Sequence, residues 1–216
     1  MEKNETGSES VEELAADKPQ IALSRRIWLE IKDLLAGVAF PFVVLLVLNS
    51  TIIMFASTAD LAISLLALIG GEIMLALAFI AFGRANGSAA YAKTVLHGQK
   101  RSLGSKEEKV VCKTGEYALW KGAVIPLIVC IPYIIIQTIG LIYANSVCTF
   151  CLKYMFGWAY YPFARLGDNF QALGFIMIIV PVAAHLGGYV LGKLKQIKIQ
   201  QAVAEQYEQK QKRRKK

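Results

Sequence analysis

"GFIMIIVPVAAHLGGYVLG", residues 174–192, holds one histidine and no other side chain that can carry charge near neutral pH. Its apolar residues cover almost the whole circumference of a helix, whereas a soluble core helix keeps a polar face. "FPFVVLLVLNSTIIMFA", residues 40–56, has the same character. Four runs of this kind, 36–56, 61–83, 122–143 and 171–192, are 21 to 23 residues long. A helix rises about 1.5 Å per residue and needs about 20 residues to cross hydrocarbon about 30 Å thick. Backbone polar groups in lipid must be paired within their own segment, so each run is predicted to be a spanning helix. The fold class that follows is an all-α membrane protein with four transmembrane helices in two antiparallel hairpins.

The chain has 216 residues, 55% of them hydrophobic, and a net charge of +8. Its mean hydropathy is +0.44. Charge and apolar residues are segregated into blocks, which argues against a soluble core. The start is hydrophilic and acidic, unlike a cleavable leader, so 36–56 is expected to stay as the first anchor.

Basic residues beside the spans set orientation. Arg25, Arg26 and Lys32 precede the first span, and the connection 84–121 adds Arg84, Lys93, Lys100, Arg101, Lys106, Lys109, Lys113 and Lys121. Nine more lie between Lys193 and Lys216, while the opposite side holds only Lys153 and Arg165. Both termini and 84–121 are therefore predicted to be cytoplasmic, in a cell membrane. The expected layout is a disordered acidic tail (1–26), a four-span domain (27–192) and a basic helical tail (193–216). Within the domain, "STAD" at 57–60 closes the first hairpin. The stretch 84–121, rich in glycine and charge, reads as a wet loop ending in a short surface helix over 106–120. The outer loop 144–170, with Tyr154, Phe156, Trp158, Tyr160, Tyr161 and Phe163, reads as an interfacial cap whose aromatics pack against the outer ends of the helices, the alternative being a lid or docking surface.

In that loop Cys148 and Cys151 form a Cys-x-x-Cys pair. On an oxidising side it is expected to be a structural disulfide. The alternative is a thiol–disulfide oxidoreductase, since the same spacing activates a thiolate. No metal site is expected, because zinc wants about four Cys or His ligands and neither histidine falls on that side. No cofactor or catalytic set is recognisable, so a non-enzymatic role is favoured.

Inside the spans, Glu72 is the outlier, because an intramembrane carboxylate is costly unless protonated or partnered. Glu72 lies eleven residues before Gly83, and His185 eight before Lys193. That count sets them only about 4–5 Å apart in depth, close enough to pair if the second and fourth spans are neighbours. Asn49 and Gln137 are the other polar candidates, lining a path or bonding between helices. Gly70, Gly71, Ala184, Gly188 and Gly192 supply small residues for close helix packing. The reading is thus a partner subunit or small permease-like protein with a polar centre at Glu72 and His185. Its expected partners are the bilayer, anionic lipids at the basic tail, and partner subunits or further copies of the chain. Nucleic acid is disfavoured, since the basic run is short and has no interleaved aromatics.

Overall fold

The computed structural model describes residues 23–56, 61–102, 116–143, 146–164 and 168–214. The acidic start, the 57–60 link, Cys112 and Arg165 lie outside these residues, as does most of the short helix expected over 106–120. Among the described residues only 116–118 and Phe156 fall outside helices, and there is no strand. The elements are α1 (Leu23–Ala56), α2 (Leu61–Ser102), α3 (Leu119–Tyr143), α4 (Ser146–Met155) and α5 (Gly157–Ala164). A 3-10 helix, Asp168–Ile178, then leads into α6 (Ile179–Arg214). Four helices are long and apolar enough to cross a membrane. Large side chains face outward along them, among them Phe40, Met54, Leu66 and Ile142, each at least 65% exposed. A bundle apolar on its outside matches a hydrocarbon surround.

Hydrocarbon outside and inside leaves little hydrophobic drive between helices, so close backbone packing has to hold them. α2 and α6 share the most extensive interface. They run parallel: Gly188 lies on the Ile80 carbonyl and Gly192 on the Arg84 carbonyl, pairs 108 apart. Ser88 continues the series through a 3.2 Å hydrogen bond to Gln196, 108 residues away. Gly83 and Gly87 return the contact, seated on the carbonyls of His185 and Tyr189, pairs 102 apart, so residues level with each other across the seam are about 105 apart, midway between the two sets. A Cβ at any of these four glycines would overlap a backbone carbonyl of the opposite helix.

This seam corrects the expected loop at 84–121. α2 continues unbroken to Ser102, because the glycines of "GRANG" are packing positions and not breaks. Of the small residues named from sequence, Gly188 and Gly192 sit in the seam, Ala184 packs on the core, and Gly71 lies against Ile52 of α1. Gly70 meets nothing within 4 Å and opens on a lateral apolar groove of about 480 Å³ with Leu66 and Met74. α1 runs antiparallel to α2, with the Phe40 and Phe82 rings 5.3 Å apart and Lys93 2.9 Å from Asp33. α3 is antiparallel to α6: Gly122 meets Leu186 and Tyr189, and Gln137 reaches Gln171. Pro181 falls in the first turn of α6, where its missing N–H costs little.

The segment expected to cap the surface does something else. α4 descends along α3, with Cys148 and Leu152 against Gly140 and Phe156 against Tyr133. The chain breaks at Phe156 and returns as α5. Phe156, Trp158, Ala159 and Tyr161 are buried in the core beside Leu45, Val129 and Tyr133. These aromatics are an inserted wedge, not an interfacial lid. Non-helical backbone at this depth is tolerated only where protein covers it and its polar groups are paired.

Candidate functional site

Pairing at the break comes from Asn49. Its Nδ2 donates to the Tyr154 carbonyl at 2.9 Å, and its Oδ1 accepts from the Trp158 amide at 3.1 Å. The Phe156 amide and carbonyl complete the turn through Leu152, Ala159 and Tyr160. Asn49 is 1% exposed, so it clamps backbone rather than lining an open path. Gln137 acts similarly, its Nε2 donating to the Gln171 carbonyl at 2.7 Å. Its Oε1, the Tyr133 hydroxyl and the Trp158 Nε1 are buried without a hydrogen-bond partner. The Tyr133 and Trp158 rings lie 5.7 Å apart, and Tyr133 presses on Gly174 next to Gln137. Unpaired polar atoms thus gather around the tip of the wedge.

Glu72 lies on the interior stripe of α2 that includes Leu68, Leu75 and Phe79. Both its carboxylate oxygens are buried and neither has a hydrogen-bond partner. Held charged in this way at membrane depth, a carboxylate costs on the order of 3 kcal/mol.

His185 is fully buried. Its Nδ1 is 2.7 Å from the Gly122 carbonyl, and its Nε2 is 3.3 Å from Asn86 Nδ2. A carbonyl only accepts, so Nδ1 carries the proton, and Nε2 takes a hydrogen bond from the Asn86 amide. Both ring nitrogens are therefore engaged, in the neutral tautomer, and no pair with Glu72 forms. The α2–α6 register of about 105 residues sets Glu72 level with Met177, eight residues and about 12 Å from the level of His185. Leu75 and Phe79, each 1% exposed, follow Glu72 on its stripe. The Phe79 ring stands edge-on to His185 at 6.5 Å. The expected single polar centre is split in two by an apolar layer.

Beyond His185, between α1, α2, α3 and α6, lies a cavity of about 230 Å³ walled by Asp33, Asn86, Lys93, Lys121 and Tyr189. Lys93 pairs with Asp33, and the Lys121 side chain, 8% exposed, reaches Glu30 at 2.7 Å. Tyr117 stacks on Tyr189 at 4.8 Å, with Lys193 over its ring at 4.9 Å. Partial burial pushes the Tyr117 hydroxyl up from the usual tyrosine range. Asn86 joins the cavity wall to His185. Sequence pattern did not single out Asn86, since it falls in the stretch taken for a loop. The available signal was Gly83-x-x-x-Gly87, which prolongs the small-residue stripe of a helix.

Cys148 and Cys151 lie one turn apart on α4, half-buried, and both are free thiols. The expected staple is not formed, and α4 is held along α3 by packing at Leu152 and Phe156. Cys130 is a free, buried thiol of α3. Among the described residues no three His, Cys, Asp or Glu side chains converge.

No family model, curated protein or solved structure matches the chain.

Proposed function

We propose that the chain is a non-enzymatic, multi-pass integral membrane protein of the cell membrane that passes a small polar species between two half-paths. In this reading α1 with α2 and α3 with α6 are two antiparallel hairpins whose basic ends face the cytoplasm. Both termini and the connection 84–121 share that side, as the Lys and Arg distribution supports. The cytoplasmic half-path is the Asp33–Lys93–Lys121 cavity, floored by Asn86 and His185. The other is the polar set of Tyr133, Gln137 and Trp158 around the wedge. Glu72 stands between them, and Leu75 and Phe79 close the connection. The basic tail at the end of α6 rests on anionic lipid.

The observation that carries this reading is Glu72: a carboxyl whose oxygens are both buried and unpaired contributes nothing to the fold that an apolar residue would not do better. A proton or small cation meeting it in transit accounts for its presence. The test uses purified protein in liposomes containing a pH-sensitive dye, with a potassium diffusion potential as the drive. Proton flux above that of protein-free liposomes, abolished by Glu72→Gln, is the expected result. Equal flux from wild type and Glu72→Gln refutes the role of Glu72. No flux from correctly inserted wild type refutes conduction by the isolated chain.

A further inference from the structure

Outside the bundle, the two parallel helices α2 and α6 form a second trough at their basic ends, about 650 Å³ in volume. Its floor is apolar, with Leu77, Ile80 and Ala81, and its upper wall carries Arg84 and Lys195. Both cations are exposed. Among the described residues neither forms an ion pair. Ser88, also on the wall, ties the two helices together through Gln196. By the seam's register Lys195 stands level with residue 90 of α2, six residues and about 9 Å along the helix from Arg84, and both side chains line the same trough. Arg84 stands seven residues, about 10 Å along the helix, beyond Leu77, and the small residues Ala85, Ser88, Ala89 and Ala92 continue the wall past it.

Charge around the trough has one sign. From Ile73 to Ser102 and from Ile179 to Ala204 neither helix contains an acidic residue. Lys93 is committed to Asp33, and Lys193 to the Tyr91 and Tyr117 rings. Arg84 and Lys195, the two cations on the trough wall, carry no such commitment among the described residues and are exposed. A soluble anion has no use for the apolar floor, and a zwitterionic lipid brings a cation of its own against Arg84 and Lys195. We infer that this trough is the seat of one anionic phospholipid of the leaflet at the basic end. Its phosphate lies between Arg84 and Lys195 and one acyl chain along Leu77, Ile80 and Ala81. The site is distinct from the basic run 210–216, and it rests on the membrane reading but not on conduction through Glu72.

Native mass spectrometry of the full chain, delipidated in detergent and titrated with phosphatidylglycerol or phosphatidylcholine, tests it. One phosphatidylglycerol is expected to stay bound per chain, with phosphatidylcholine failing to compete. A basic residue near a lipid surface is worth about fivefold in affinity, so Arg84→Gln/Lys195→Gln should weaken binding by roughly 30-fold. Deleting 210–216 should leave it unchanged. Both substitutions are at exposed positions, and an unaltered circular dichroism spectrum confirms that the fold is kept. Equal retention of phosphatidylcholine, binding unaffected by the double variant, or loss on deleting 210–216 would each overturn the assignment. Full competition by soluble glycerol phosphate would overturn it too, since the acyl chain would then contribute nothing.

Discussion

Gly187 and Gly188 are neighbours on α6 with opposite surroundings, which makes them a matched test of the seam. Nothing lies within 4 Å of a Cβ placed on Gly187, whereas one on Gly188 overlaps the Ile80 carbonyl and lies 2.9 Å from its carbon. A backbone carbonyl inside a helix cannot swing aside as a side chain can. Gly188→Ala must therefore separate α2 from α6 or tilt them, at about 1–3 kcal/mol as for other overpacking changes. Separation would also strain Gly83, Gly87 and Gly192, which share the seam, so the upper part of that range is expected. Gly187→Ala adds a methyl facing lipid and removes glycine's backbone freedom, a gain of about 0.5–1 kcal/mol. The two variants should thus differ by about 2 kcal/mol or more, with opposite signs relative to wild type. Reversible unfolding by sodium dodecyl sulfate in mixed micelles, followed by circular dichroism, measures both. If Gly188→Ala proved as stable as Gly187→Ala, the parallel contact of α2 and α6 would be wrong, and with it the register separating Glu72 from His185.

Asn49→Leu removes the partners of the Tyr154 carbonyl and Trp158 amide. At about 1–3 kcal/mol for each buried group left unpaired, a loss of about 2–6 kcal/mol is expected. Hydrogen exchange should rise selectively over 146–164; uniform or absent change would contradict the clamp. Lys121→Met leaves Glu30 without its partner and should cost about 1–3 kcal/mol, less than a fully buried pair because Glu30 keeps some solvent. Adding Glu30→Leu should restore most of it in the same denaturation assay, and a double variant no better than the single would argue against the pair. Cys148→Ser/Cys151→Ser should shift stability by less than about 0.5 kcal/mol. Reductant-dependent migration of wild type on a denaturing gel would show a disulfide where the structure has two thiols.

The four apolar runs were legible because no other fold tolerates helices greasy on every face. Helix ends were not. Glycine, serine and lysine between 84 and 101 read as punctuation, yet in α2 the glycines are where another backbone approaches, a tertiary fact invisible to local propensity. The wedge escaped for a related reason: α4 and α5 have 10 and 8 residues, too short to announce a membrane-depth element, and their anchor Asn49 lies over a hundred positions earlier. The Glu72–His185 pairing failed by an error in register of about five residues, more than one helical turn. Taking Gly83 as level with Lys193 implies an offset of 110 residues. The seam sets it at about 105, and Phe79 then stands where the carboxyl would have to reach.

The α2–α6 seam has a temporal consequence. Because the contacts along it join positions 102 to 108 apart, no part of it can close while the ribosome is still making the third span. During that interval Gly83 and Gly87 present a bare strip of backbone to the bilayer or to an insertion factor. Biogenesis of this bundle must finish from its last helix, so truncations ahead of residue 192 should yield inserted but unassembled chains, exposed to quality-control proteases.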